Sequence, residues 1–347
     1  MHKTDEISVV VPFFNAEDTI LHCLEGIQNQ KLKPLEVILV DNNSSDNSAN
    51  LVKQFIAQNV IGKFHYFFEK KQGPSYARNC GVNHAKGDII AFTDSDCIPD
   101  KNWLNGILAA FTDPQIGAVA GRIVGYHGES LLDKFHAMFT LKGFDENQTF
   151  SDFTLVKGGF PTANLAVRKD VFNHIGGFDG SMKTYGEDYE LCARVYRADF
   201  GIKYTINAVV YHKHRNTLKG TWIQSFGFGI AHTLLLKKHF KQMVIIDLPR
   251  YQYLSQKWSV RMWIDLASAD KKVAGLILLS IMWWPLSVLL VSYLLYLFTN
   301  MGSRLRQNGL NARFLETWQL VLLLFFKSAA ITMGRIIGSL QNKVLCF

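Results

Sequence analysis

Two carboxylates one residue apart, Asp94 and Asp96, close the apolar run Ile89 to Phe92. If the strand runs on through them, its period of two puts both on one face. Adjacent like charges repel unless a cation sits between them. Mg2+ and Mn2+ suit that position, since they take one or two carboxylates and complete their shell with substrate phosphates. Solvated loops carry the same spacing, so the pair alone is a weak signal.

A second acidic pair, Glu187-Asp188, precedes Leu191, Val195 and Ala198 at helical spacing. Both acids then fall in a first helical turn, where the dipole keeps a carboxylate ionised and ready to accept a proton. An ordinary acidic first turn is the alternative. Between the two pairs, Lys157-Gly-Gly-Phe-Pro-Thr-Ala-Asn164 is a glycine loop in which Gly159 permits close approach of backbone to a ligand. Arg78 lies early in a helix opened by Gly73-Pro74. Its guanidinium suits a phosphate or carboxylate fork, or else a surface ion pair with Glu69 or Asp88. His212 and His214 alternate at the end of a strand-like run and read either as metal or phosphate contacts or as a solvated basic strand end.

The elements that position these residues alternate. Ile7 to Val11 is a continuous apolar run of the kind a doubly covered parallel strand needs, and Pro12 closes it. Asn15 is placed to cap a helix carrying Ile20, Leu24 and Ile27 on one face. Leu35 to Val40 reads as a second strand, closed by Asp41, and Leu51, Phe55 and Gln58 mark the next helix. Phe64 to Phe68 is a third strand, Ser75 to Lys86 a helix, and Ile89 to Thr93 a fourth strand. This order predicts an α/β fold with a mostly parallel sheet and helices on both faces. Such sheets bind ligands beyond the carboxyl ends of their strands, where Pro12, Asp41 and Asp94/Asp96 all fall.

In order, Val9-Val-Val-Pro12 with Asn15, Val40-Asp41, Gly73-Pro74 with Ala77-Arg78-Asn79, Thr93-Asp-Ser-Asp96, the glycine loop, Gly186-Glu-Asp188 and the late histidine resemble the family 2 glycosyltransferases of the GT-A (Rossmann-like) fold. The match covers about residues 7–215. The resemblance implies inverting transfer of a sugar from a nucleoside-diphosphate sugar of UDP type to a hydroxyl of a lipid-linked or cell-envelope glycan. It implies that Asp41 meets the donor's base and Asp94 its ribose, with Pro12, Asn15, Arg78 and Ser95 on the donor side. Asp96, with His212 in preference to His214, would hold Mg2+ or Mn2+. Asp188 would be the base that deprotonates the acceptor, and Gly159, Asn164 and Glu187 would lie on the acceptor side. One departure stands out: the Gln-x-x-Arg-Trp signature of processive synthases is replaced by Trp222-Ile-Gln-Ser-Phe-Gly-Phe-Gly229, which favours transfer of single sugars.

Other readings stay open. A sugar nucleotidyltransferase needs a glycine-rich loop after the first strand, and Val11-Pro-Phe-Phe-Asn-Ala-Glu-Asp18 has no glycine. A membrane scaffold retaining a nucleotide-sugar-binding domain, or a polyprenyl-phosphate glycosyltransferase, are further alternatives.

Charge divides the chain. Residues 1–215 carry −3 and residues 216–347 carry +11. A basic tail suits nucleic acid or an anionic membrane. The same tail holds the 26 uncharged residues Val273 to Phe298, so membrane lipids are the expected partner and nucleic acid is not. Residues 216–272 mix aromatics with lysines and arginines and are expected to form an interfacial helical region. Residues 273–347 are expected to be membrane-embedded. Trp283-Trp284-Pro285 interrupts the apolar run, which reads as a crossing or as a re-entrant hairpin. A second stretch, Thr317 to Leu340, is interrupted by Lys327 and Arg335. The start Met1-His-Lys-Thr-Asp-Glu6 shows no signal peptide, and five scattered cysteines fit a reducing compartment. The catalytic part is therefore expected to face the cytoplasm.

Overall fold

The computed structural model describes residues 6–58, 63–126, 130–140, 143–154, 158–182, 185–213, 217–240, 243–248, 251–255 and 260–347. The chain forms two compact units, Met1–Tyr126 with Leu141–His214, and His127–Thr140 with Arg215–Phe347.

The first unit begins β1 (Ile7–Phe13), α1 (Ile20–Gln28), β2 (Glu36–Asp41), α2 (Ser48–Gln58), β3 (Phe64–Phe68) and α3 (Pro74–His84). It continues with β4 (Ile89–Phe92), β5 (Cys97–Pro99), α4 (Trp103–Leu108) and β6 (Ile116–Gly125). The insertion α5 (Leu131–Phe139) follows β6 but belongs to the second unit. Its Phe135 and Met138 share an apolar cluster with residues of that unit, Leu297, Met301 and Leu320 among them. After it come β7 (Gln148–Phe150), β8 (Leu165–Arg168), α6 (Lys169–His174), α7 (Glu187–Arg197) and β9 (Gly201–His212).

The sheet order is β3-β2-β1-β4-β8-β6-β9-β5, with β7 also on β9. The first four strands are mutually parallel. Beyond β4 the sheet is mixed: β8 runs antiparallel to β4 and β6, and β5 antiparallel to β9. Burial on both faces explains the unbroken apolar runs. Val9 and Val11 join the core under α1, α2 and α4, while Val10 joins the core under α3, α6 and α7. Each fully buried valine contributes about 1.5–3 kcal/mol, so both faces matter. Ser8 is the polar residue of β1, and its hydroxyl is satisfied by Glu36 Oε1 (2.9 Å) and the Gly87 N–H (2.8 Å).

Two local expectations change. β1 runs through Pro12 to Phe13 instead of stopping there. Register places Pro12 on the side facing β4 but past that strand's end, where Val10 is the last paired residue, so its missing N–H leaves no ladder bond unmade. Asn15 does not cap α1, which starts at Ile20 after Thr19. Asn15 sits at φ 48°, accepts from the Ser45 N–H (2.8 Å) and donates its own N–H to Ser44 Oγ (3.1 Å). It ties the loop after β1 to the loop after β2.

The second unit holds α5, α8 (Leu218–His239), β10 (Val244–Leu248), β11 (Tyr251–Ser255) and β12 (Met262–Asp265). These are followed by α9 (Ala269–Met282), α10 (Ser287–Gln307), α11 (Phe314–Asn342) and β13 (Leu345–Cys346). The helical region expected over 216–272 is thus helical at α8 and at the start of α9, with strands between. Val244 to Asp247 lies parallel to Met262 to Asp265 in a small sheet ordered β11-β10-β12-β13. α8 and α11 meet backbone to backbone. A Cβ on Gly229 would stand 2.2 Å from the Ile331 carbonyl oxygen, and one on Gly334 would stand 2.1 Å from that of Phe226.

The apolar run Val273 to Phe298 breaks at Trp283–Pro285 and folds back, bringing Lys272 Nζ to 6.0 Å from the Tyr293 ring centroid. Met282 and Trp284 at the bend are 83% and 79% exposed. The segments Trp284–Gln307 and Phe314–Asn342 are long and apolar enough to cross a membrane. The charges that interrupt the latter are matched within the unit: Lys327 donates to the Phe139 carbonyl, and Arg335 pairs with Asp265 (2.9 Å).

Candidate active site

β4 stops at Phe92, and a turn closed by the Cys97 N–H on the Asp94 carbonyl (3.0 Å) separates it from β5. The single extended face expected for Asp94 and Asp96 is therefore absent. The turn sends the two acids to different partners. Ser95 lies half-buried between them.

Asp94 goes to Arg78, whose Nη2 donates to Asp94 Oδ1 at 2.9 Å. Arg78 Nη1 donates to Glu187 Oε1 at 2.8 Å. The surface ion pair with Glu69 or Asp88 is thus replaced by a fork between two acids, with Arg78 only 5% exposed. The cation that the acidic pair demanded is, for Asp94, a guanidinium.

Glu187 and Asp188 open α7 directly after Gly186, whose φ of 87° is comfortable only for glycine and turns the chain into the helix. Burial pushes the Glu187 carboxyl up against the pull of Arg78. Asp188 is half-buried and accepts from the Tyr189 N–H at 2.8 Å. Burial, then the charge of Glu187 beside it, pushes its carboxyl up to about 7. A group poised there can take a proton near neutrality. Gly159 lies against the Tyr189 ring, where a Cβ would come within 2.1 Å of it.

Asp96 goes to His212. The antiparallel pairing of β5 with β9 sets Cys97 opposite His212, and His212 Nε2 lies 3.5 Å from Asp96 Oδ1. The Asp96 side chain is 41% open to solvent, yet crowding by its surroundings raises its carboxyl, with His212 pulling the other way. Ligand atoms of Asp96, Cys97 and His212 lie within 4.8 Å of one another. Burial, reinforced by Asp96 and Asp94, holds the Cys97 thiol protonated and unsuited to a hard cation. A carboxylate and an imidazole remain, a donor set that fits a divalent ion with open positions. His214 lies outside the described residues.

Asp41 is 3% exposed, and both its oxygens are engaged: Oδ1 by the Ser44 N–H and Oδ2 by the Tyr66 hydroxyl, each at 2.9 Å. It shapes the turn after β2. Asn164 is a correction. It is 1% exposed, accepts from Trp103 Nε1 (2.8 Å) and donates to the Arg122 and Ala208 carbonyls (2.9 Å each). It braces α4, β6 and β9.

Two residues were missed from sequence. Asn42 joins three loop positions, donating to the Glu69 and Lys71 carbonyls (3.1 and 2.9 Å) and accepting from the Gly73 N–H (2.7 Å). Its place beside Asp41 at a strand end was the available signal. Cys97 had none, because its place beside His212 comes from the pairing of β5 with β9.

Residues 8–176 match the family model "Glycosyl transferase family 2". This stretch is a glycosyl transferase family 2 domain. A pre-mycofactocin glycosyltransferase of Mycobacterium tuberculosis is 31% identical over 238 residues, 67% of this chain and 48% of the relative. A poly-beta-1,6-N-acetyl-D-glucosamine synthase of Staphylococcus aureus is 25% identical over 267 residues, 76% of this chain and 63% of the relative. The chain thus spans about half to two-thirds of the length of these relatives. Among solved structures, the mannosyltransferase PcManGT from Pyrobaculum calidifontis, in complex with GDP-Man and Mn2+, superposes with a TM-score of 0.52 at 20% identity. That likeness covers 67% of this chain and 64% of the mannosyltransferase, and it marks the family 2 domain as GT-A in fold.

Proposed function

We propose that this family 2 domain transfers one sugar at a time, with inversion, from a nucleoside-diphosphate sugar to a hydroxyl of a lipid-linked or cell-envelope glycan at a membrane. The observation that carries the reading is Asp188, a half-buried carboxylate raised to about 7 and joined through Glu187 and Arg78 to the Asp94 turn. That arrangement sets a proton acceptor beside the strand ends where a donor would bind.

In this reading Asp188 removes the acceptor hydroxyl's proton as the oxygen attacks the anomeric carbon in line. Asp94 holds the ribose side of the donor and is fixed in aim by Arg78. Asp41, with Asn15 and Pro12, forms the wall against which the donor's base packs. Asp96 and His212 would hold Mg2+ or Mn2+, and the imidazole nitrogen favours Mn2+. A divalent ion held by Asp96 and His212 would offset charge growing on the departing diphosphate. Asp94, Glu187 and Asp188 around the Arg78 guanidinium, with Asp96 on the same turn as Asp94, leave the crevice negative, so a second cation is electrostatically welcome. The binding of GDP-Man and Mn2+ by a protein of the same fold supports this reading.

The exposed apolar bend at Trp283–Pro285 and the basic tail support membrane attachment with the family 2 domain on the cytoplasmic side. A screen of nucleotide sugars with the detergent-solubilised chain, scored by nucleoside diphosphate release with and without Mn2+, tests the reading. Release from one donor only when metal is present supports it. No release from any donor counts against it.

A further inference from the structure

The far end of α11 borders a groove of about 620 Å³ that the transfer reaction does not use. Ile336 and Leu340 of α11, Val344, and Leu345 of β13 give it an apolar wall, Arg261 and Lys343 supply two cations, and among the described residues no acidic side chain lines it. Among the described residues neither cation forms an ion pair. The Phe347 carbonyl oxygen, also at this groove, is engaged by the Asp265 N–H (2.9 Å) and by Arg335 Nη1 (3.4 Å).

Lys343 adds an independent observation. It follows the last turn of α11 at φ 54° and ψ 49°, the left-handed position that helix ends normally give to glycine or asparagine. A lysine held there is conformationally unfavourable relative to glycine. The apolar side of the groove continues into open surface, with Leu340 79% and Ile336 44% exposed. A groove lined by two cations and by exposed aliphatic side chains matches an amphiphile with an anionic head.

We propose that this groove binds one anionic phospholipid of the bilayer, its phosphate between Arg261 and Lys343 and its acyl chains along Ile336, Leu340 and Leu345. The proposal does not depend on the transferase reading, because the groove lies wholly in the second unit.

The test titrates the delipidated full-length chain in detergent with short-chain phosphatidylglycerol, phosphatidylcholine, inorganic phosphate and a polyprenyl phosphate. Saturable binding of one phosphatidylglycerol is expected, about tenfold or more tighter than phosphatidylcholine, with little binding of inorganic phosphate. Arg261→Gln with Lys343→Gln should remove that preference, and Leu340→Gln should weaken binding in proportion to acyl length. Lys343→Gly separates function from folding. It should raise the melting temperature, because glycine suits the left-handed position, while weakening phosphatidylglycerol. Equal affinity for the two phospholipids, preference for the polyprenyl phosphate, or unchanged binding by the double variant each overturn the proposal.

Discussion

Arg78 and Glu187 are 109 residues apart in sequence and joined by a 2.8 Å hydrogen bond, Nη1 to Oε1. The same guanidinium holds Asp94 at 2.9 Å. One side chain thereby fixes the turn after β4, assigned to the donor, against the first turn of α7, assigned to the acceptor's proton.

Breaking this bridge should be costly. Arg78→Ala leaves Glu187 buried, and Asp94 part-buried, without their counter-charge, a loss of about 3–5 kcal/mol for the buried Arg78–Glu187 pair. Thermal unfolding of the purified chain should show a clearly lowered midpoint. Combining Arg78→Met with Glu187→Gln should recover much of the stability but not the transfer rate.

Transfer should follow the ionisation of Asp188. A base works only when deprotonated, and this carboxyl is raised to about 7. The rate should therefore fall about tenfold per pH unit below that value and level off above it. A kcat/KM profile from pH 5 to 9 checks this; a limb near the ordinary carboxylate range would assign the base elsewhere.

Metal dependence should run through Asp96 and His212. Asp96→Asn and His212→Ala should each raise the Mn2+ concentration for half-maximal rate by about tenfold or more, ~1.4 kcal/mol. Calorimetry with Mn2+ in the presence of nucleoside diphosphate measures the same loss directly. Cys97→Ser should change it little, since the buried thiol stays protonated.

Asn164 should behave as a brace. Asn164→Ala strands the Trp103 indole N–H and two carbonyls, at about 1–3 kcal/mol for each buried group left unsatisfied. Lowered stability with an unchanged acceptor KM is the expected pattern.

Much of this was legible in the sequence because it is local. Continuous apolar runs such as Val9 to Val11 announced doubly covered strands, and the spacing of Leu191 and Val195 put Asp188 in a first helical turn. What escaped was set by distant partners. Asp94 and Asp96 looked alike in a period-two pattern, but pairing of β5 with β9 and the reach of Arg78 drew them apart. Asn164 sat in a glycine loop that suggested a ligand, while its amide was needed by two backbone carbonyls and a tryptophan. The strands of 244–265 were hidden because short apolar runs beside aromatics fit an interfacial helix equally well until a parallel partner is known.

The most direct measurement is the single-turnover rate of Asp188→Asn beside its affinity for the donor sugar nucleotide with Mn2+. Removing the base while leaving the donor side intact should lower the rate by about 10²–10⁴-fold, with the dissociation constant for the donor unchanged. A wild-type rate in this variant would contradict the account.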